Sequence, residues 1–506
     1  MSDSALDPSA WIQHHATKTP TRIALHYEGE QITYRDLAYS VATFARFFAQ
    51  DLKLPAGTRI AYLGANTPEE LALLFACACN AQVFVPLNWR LEAPELDAIL
   101  HDCNPSVLIV EASCLGLAQT LRVDLPHRLT VGASNTGWPA LPLPLANMTE
   151  EHAGDLDRPL LLAYTSGTTG SPKGAVLSAG ALMSNARNSI HMHGLVASDR
   201  VLTALPLFHV GGLNIQTSPA LYVGAEVILL PRFEPSRALA TIAELHPSLA
   251  VLVPATLQAM LDHPSWKHTD LSSLRTMTTG STDVPPALIH AWHARGVPII
   301  QVYGATETAP IAIYQRLDEA FSTLGAIGRA GQETEVRLVN AEGRDCAVDE
   351  PGEIWVRGAH VAGGYWNQLQ AVSFTQGWFR SGDVALCDAQ GVFWFKDRIK
   401  NVVISGGENI YPAELERILL EHPAIKEAAI VGRPHPHWGA VPVAFVVRQA
   451  PIDRDDIVGL FAGRVARYKI PQEIIALDAL PRTTFGKIDH ASLRHQIAVL
   501  PGASTR

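Results

Sequence analysis

The sequence predicts an α/β protein: a large N-terminal domain of mostly parallel sheets flanked by helices, a small β-rich subdomain, and a small α+β domain at the C-terminus. Three observations carry this. The chain has 506 residues, too many for one hydrophobic core, so two or more domains are expected. Between residues 58 and 303, short apolar runs alternate with amphipathic helical patterns, as parallel strands covered by helices do. From 325 to 395 the helical patterns give way to short strands between turns, and helices return past Lys400.

Residues 8–52 hold two helical patterns around a strand pair, Ile23–Tyr27 and Gln31–Thr33. Then come Arg59–Leu63 as strand, Pro68–Ala78 as helix, Val83–Pro86 as strand, Glu92–Asp102 as helix and Val107–Val110 as strand. The segment 112–158, rich in Leu, Pro and Asn, lacks periodicity and reads as surface wrapping. The alternation resumes with a helix over Ser178–His191, a strand at Arg200–Ala204 and a helix over Leu213–Val223. Strands at Ala225–Leu230, Leu249–Val253, Thr276–Thr279 and Ile299–Tyr303 follow, separated by helices at Pro235–Leu245, Thr256–His263 and Pro285–Arg295. Glu335–Val339, Gly352–Arg357 and Gly391–Phe395 are the short strands of the β-rich part. The last unit reads as helix Pro412–Glu421, strands Ile425–Arg433 and Ala440–Arg448, and helix Asp453–Ala462.

Composition narrows the function. Hydrophobic residues make up 47% of the chain and charged ones 17%, which describes a globular protein. The net charge of −10 supplies no basic footprint for nucleic acid. The longest apolar stretch, Leu71 to Leu87, is broken by Asn80 and Gln82 and falls short of a bilayer span, so it reads as a buried helix passing into a strand. The six cysteines follow neither disulfide nor zinc spacing; Cys77 and Cys79 read as small buried hydrophobes. That usage suits a reducing cytoplasm, and the polar N-terminus has no secretory pattern. A homodimer is compatible with all of this.

The most informative stretch is LLAYTSGTTGSPKGAVLS, Leu161 to Ser178. Two apolar runs, Leu160–Ala163 and Ala175–Leu177, flank a loop of glycines, hydroxyls and one lysine. Such a loop suits a polyphosphate: glycines let backbone N–H groups approach the anion, hydroxyls donate, and lysine adds charge. Composition alone is equally served by a flexible hairpin. It is not the GxxxxGK(S/T) loop, because Pro172 and Gly174 stand at positions that motif reserves for other residues.

TSGTTGSPKGA closely resembles the signature loop of the adenylate-forming superfamily, which includes acyl-CoA and aryl-CoA synthetases, luciferase and the adenylation domains of peptide synthetases. The resemblance assigns phosphate binding to Thr165, Ser166, Gly167, Thr168, Thr169, Gly170 and Lys173. Its companions occur in family order. QVYGATETAP, Gln301 to Pro310, resembles the second signature: Tyr303 would stack on adenine, Thr306 contact the α-phosphate and Glu307 hold Mg²⁺. Gly280, Ser281 and Thr282 stand after a strand where relatives place an adenine-edge loop, with Asp283 and Val284 intervening before the prolines. WFRSGD ends at Asp383, which would accept from the ribose hydroxyls. DRIK supplies Arg398 near ribose and phosphate, and Lys400 as the pivot of a mobile C-terminal domain, giving expected domains of 1–398 and 399–506. Gly406 and Gly407 belong to a glycine loop that would pass the thin pantetheine arm. Ile404 and Asn409 depart from the lysine and glutamine of plant coumarate ligases. PRTTFGKI resembles the C-terminal signature, with Lys487 as catalytic lysine.

The resemblance implies an acid–CoA ligase that uses ATP, Mg²⁺ and coenzyme A. PLFH, Pro206 to His209, would border the acid pocket with His209 at its mouth, and Gly280, Gly304, Pro310 and Ile311 would line it. These are small or apolar, with no arginine for a second carboxylate, so a fatty or aromatic monocarboxylic acid is expected. The alternative is an adenylating enzyme that loads a carrier protein. Amino-acid adenylating relatives place an aspartate after the phenylalanine, whereas Phe208 is followed by His209. Luciferase-like oxygenation is not separated by these motifs. A non-catalytic scaffold would have lost Lys487, Glu307, Asp383 or Arg398, and all four are present.

Overall fold

The computed structural model describes residues 7–132, 137–145, 154–165, 172–281, 284–368, 371–406, 408–482 and 488–499. It divides into two compact units, one of residues 1–284, 288–336 and 356–379, the other of 285–287, 337–355 and 380–506.

The first unit is built on two sheets, and both are mostly parallel, as the strand–helix alternation predicts. In the six-stranded sheet the order is His127–Val131, Val107–Glu111, Arg59–Leu63, Val83–Leu87, Pro159–Thr165 and Lys173–Ser178; only the last pair is antiparallel. The nine-stranded sheet is parallel from Ile299–Tyr303 through Thr276–Gly280, Leu249–Val251, Arg200–Thr203 and Glu226–Leu229 to Ile23–Tyr27. Antiparallel strands close both of its edges.

Local chemistry explains the helices between. Thr67 caps the helix Pro68–Cys79 by accepting from the Glu70 amide, and Pro68 sits at its first turn, where no N–H is needed. From Leu71 to Cys79 this helix is apolar on every side and buried on every side, and Cys77 and Cys79 pack there as expected. Ser178 ends the hairpin strand and at once caps the helix Ala179–His193 through the Ala181 amide. A buried amide joins the sheets where their strands end: Asn66 donates to the carbonyls of Leu205 (3.0 Å) and Leu230 (2.9 Å) and accepts from the Leu207 amide at 2.8 Å.

Among the elements of this unit that differ from the sequence reading are a strand and a helix. His127–Val131 is an edge strand lying parallel to Val107–Glu111, not surface wrapping. The continuous helix expected over Leu213–Val223 is interrupted by a wide π turn, Leu213–Thr217, before Ser218–Val223. The cause is a side chain set into the ladder: Thr217 Oγ1 donates to the Gly212 carbonyl at 2.6 Å. Gly212 is required there, because an added Cβ would lie 2.2 Å from the Pro206 carbonyl oxygen.

In the second unit, strands Ile425–His435 and Gly439–Arg448 form a long antiparallel pair, extended by the hairpin Val403–Ser405/Glu408–Ile410 and by Glu473–Ala476. The hairpin, the last strand and the helix His490–Val499 add to what the periodicity indicated. Trp378–Cys387 is a strand whose Asp383 pairs with Arg398 of strand Phe393–Arg398.

A buried histidine gives the fold a pH dependence. His193 Nε2 meets Thr278 Oγ1 at 2.9 Å and Nδ1 meets the Ser189 carbonyl at 2.9 Å. Burial holds its pKa down at about 4, while an unfolded histidine titrates near 6.5. The depressed folded value means that this stabilisation is complete above pH ~6.5 and is lost as pH falls toward 4. The difference corresponds to roughly 3 kcal/mol. In scanning calorimetry, His193→Gln is expected to flatten the fall of the first unit's Tm across that window; an unchanged slope would assign the fall to other groups.

Candidate active site

The phosphate-loop hairpin is closed at its base by the pairing of Thr165 with Lys173, and Thr165 Oγ1 lies 3.4 Å from the Lys173 carbonyl. Ser166, Gly167, Thr168, Thr169 and Gly170 lie outside the described residues, as do Thr282, Gly407 and Lys487.

Beside this base stands the second signature. Strand Ile299–Tyr303 ends at Tyr303, and the chain turns through Gly304 into the short 3-10 turn Thr306–Thr308. The turn needs glycine: a Cβ at Gly304 would stand 1.7 Å from the Pro310 carbonyl oxygen. Gly280 ends the adjacent parallel strand opposite Val302, so Gly280, Ser281 and Tyr303 share one edge of the sheet. Ligand sites in open α/β sheets occupy that carboxyl edge.

Glu307 is 9% exposed, and its Oε1 accepts from the Tyr365 hydroxyl at 2.6 Å. Among the described residues nothing donates to its second oxygen. Burial, reinforced by this carboxylate, pushes the Tyr365 phenol well above its ordinary pKa, so it remains a donor. The Lys173 ammonium lies 5.3 Å from the centroid of the same ring. The main chain tightens the assembly, for Ala362 N donates to the Glu307 carbonyl at 2.8 Å and Trp366 N to the Gly174 carbonyl at 2.7 Å. Lys173, Tyr365 and Glu307 thus form one constellation, with the tyrosine and glutamate buried and the lysine half-buried.

The residues assigned to an acid pocket are held from behind. Pro310 and Ile311 are buried, and Asn185 accepts from the Ile311 amide at 3.1 Å while donating to the Asn214 carbonyl of the π turn at 2.7 Å. His209 is exposed and belongs to a separate local structure, where its Nδ1 accepts from the Gly211 amide at 2.9 Å. That bond leaves the proton on Nε2.

In the second unit, Arg398 Nε lies 3.3 Å from Asp383 Oδ1. Burial lowers the pKa of Lys400, and Arg398 and Arg494 lower it further. Gly406 N donates to the Trp438 carbonyl at 2.8 Å.

Sequence reasoning passed over several participants. Tyr365 and Asn185 were not singled out; the run Gly363-Gly364-Tyr365-Trp366 was the available signal for the first. Another is a cationic–aromatic cluster in which the Arg90 and Arg232 guanidiniums lie 5.0 and 4.3 Å from the Trp89 ring, with Phe208 at 6.5 Å from that ring.

Known proteins can be set beside this geometry. The family described as AMP-binding enzyme matches residues 12–366, and the AMP-binding enzyme C-terminal domain matches residues 414–487. The indoleacetate–CoA ligase of Aromatoleum aromaticum is 45% identical, covering 97% of this chain and 98% of its own. The feruloyl-CoA synthase of an Amycolatopsis species is 38% identical, covering 96% of this chain and 98% of its own. Among solved structures, the o-succinylbenzoate CoA synthetase of Bacillus subtilis, in complex with its acyl-adenylate intermediate, superposes with a TM-score of 0.85 at 30% identity. That alignment covers 98% of this chain and 99% of the synthetase. No described helix is long and apolar enough to cross a membrane.

Proposed function

Because the chain belongs to the AMP-binding enzyme family and is an acid–thiol ligase, we propose that it joins a small aromatic monocarboxylic acid to coenzyme A, cleaving ATP to AMP and pyrophosphate. The observation that carries this reading is the constellation at the phosphate-loop base, where a lysine and a carboxylate with an open oxygen stand on either side of one tyrosine.

A carboxylate is a poor electrophile, because oxide cannot leave. Attack of the acid's oxygen on the α-phosphate releases pyrophosphate and converts the acid into a mixed anhydride from which AMP departs readily. The protein's part is positioning and charge stabilisation rather than covalent chemistry. Thr165, Lys173 and the loop between them hold the β- and γ-phosphates; Thr306 and Lys487 face the α-phosphate. Tyr303 stacks on the adenine, and Asp383 and Arg398 take the ribose. Glu307 would hold magnesium through one hard oxygen, and no cluster of three His, Cys, Asp or Glu occurs among the described residues to form an all-protein cage. Magnesium, when bound, neutralises phosphate charge. The domain from residue 399 onward then turns about Lys400, withdraws Lys487 and brings the Gly406–Gly407 loop to guide the thiol, which attacks the acyl carbonyl and expels AMP.

Aromatic acids are favoured over fatty ones by the names of the two relatives above. The PLFH resemblance would put His209 at the mouth of the acid pocket. Six free cysteines suit a reducing compartment, the cytoplasm.

Pyrophosphate release with Mg-ATP, measured over arylacetic, hydroxycinnamic, benzoic, fatty and amino acids with and without CoA, tests the reading. CoA-dependent turnover on one aryl class is the expected result. Release that CoA does not accelerate would move the acceptor to a carrier protein, and turnover confined to fatty acids would overturn the aromatic assignment.

A further inference from the structure

We infer that Tyr365 is a positioning residue that holds Lys173 and Glu307 apart, each aimed at its own part of the bound nucleotide. The inference rests on the reading of Glu307 as the magnesium ligand. Two oppositely charged side chains beside one site would ordinarily pair, and pairing would spend both charges on each other. Lys173 and Glu307 form no ion pair among the described residues. The phenol stands between them. Its hydroxyl donates to Glu307 Oε1 at 2.6 Å, and its ring takes the Lys173 ammonium at 5.3 Å from the centroid.

Tyr365 is itself immobile. It is 6% exposed, and Phe374 meets its ring edge-on with the centroids 5.5 Å apart. Its flanking backbone is laced to the strand that carries Lys173. Val176 N donates to the Gly364 carbonyl at 3.0 Å, Gly363 N to the Val176 carbonyl at 3.1 Å and Trp366 N to the Gly174 carbonyl at 2.7 Å. The same segment bonds the Glu307 main chain through Ala362. The hydroxyl therefore occupies one carboxylate oxygen from a fixed direction and would leave the other to hold a metal ion, as residues behind a metal ligand commonly do.

Two substitutions separate the two halves of this role. Tyr365→Phe keeps the ring under Lys173 and removes only the donor. Tyr365→Leu removes both and lets lysine and glutamate pair. Mn²⁺ binding to the enzyme with a non-hydrolysable ATP analogue is read by electron paramagnetic resonance, and metal-free ATP binding in EDTA by calorimetry. Thermal unfolding of each variant verifies the fold. Tyr365→Phe is expected to weaken Mn²⁺ by about 10–100-fold with metal-free ATP affinity unchanged, and Tyr365→Leu to weaken both. Glu307→Gln serves as the reference. If Glu307→Gln loses Mn²⁺ and Tyr365→Phe does not, the positioning role is overturned while the metal ligand stands. If neither loses Mn²⁺, Glu307 is not the ligand, and both readings fail together.

Discussion

Lys487→Ala is expected to slow acyl-adenylate formation by about 10²–10³-fold, with thioester formation from a supplied acyl-adenylate left within a few-fold. The asymmetry follows from where charge develops. In the first half-reaction an anionic carboxylate must approach an anionic α-phosphate, and a cation bridging the two offsets a repulsion that no neutral donor can. In the second, a thiol meets an already activated carbonyl and the leaving group is AMP, so that cation has no comparable task. The described flanks fix where the lysine's segment leaves and rejoins the unit: Arg482 bridges to Ile488, and Asp489 N donates to the Pro481 carbonyl at 2.8 Å. Pyrophosphate exchange reports the first step, and acyl-CoA formation from synthetic acyl-adenylate the second. Equal loss in both would remove Lys487 from its assigned role.

What was legible in the chain depended on how far apart the interacting residues lie. The hairpin Pro159–Thr165/Lys173–Ser178 could be read because apolar runs on both sides of one loop are a local pattern. The helix Pro68–Cys79 passing into Val83–Leu87 was readable for the same reason, since a run apolar on every face has few alternatives to burial. His127–Val131 escaped because Pro126 and Gly132 bound a short run that begins with His127 and Arg128 and shows no clear alternation, and pairing with Val107–Glu111 fixes it as a strand. The π turn escaped because its cause is the bond from Thr217 to Gly212, which no periodicity reports. At the site, family motifs led to Glu307 and Lys173, yet Tyr365 stayed hidden. Its partner Glu307 is 58 residues away, and a tyrosine in a glycine-rich turn carries no charge pattern to draw notice. The cluster on Trp89 combines segments still farther apart, Arg90 and Arg232.

Lys400→Pro is expected to do the opposite of Lys487→Ala, sparing pyrophosphate release and lowering thioester formation from supplied acyl-adenylate by about 10²-fold, the rate equivalent of the roughly 3 kcal/mol that a misplaced proline opposes. The surroundings of Lys400 explain why a pivot would sit there. Asp397 is 3% exposed, and its carboxylate accepts from the Arg398 amide at 2.7 Å, Asn401 Nδ2 at 3.2 Å and the Ala413 amide at 2.7 Å. The backbone is thereby fastened on both sides of the short turn Ile399–Asn401, leaving Ile399 and Lys400 to absorb a change of dihedral angle. Rotation must also release the bond from Ala413 to Asp397, because it spans the pivot. Burial raises the Asp397 pKa despite those donors, and the Lys400 ammonium is disfavoured by burial and by Arg398 and Arg494, with Asp383 opposing them. Proline at 400 would fix φ near −65° and drive Ile399 toward extended backbone. Either restriction leaves a rigid joint where a moving one is required. Half-reactions measured separately on this variant decide the matter: unimpaired thioester formation would move the pivot away from Lys400.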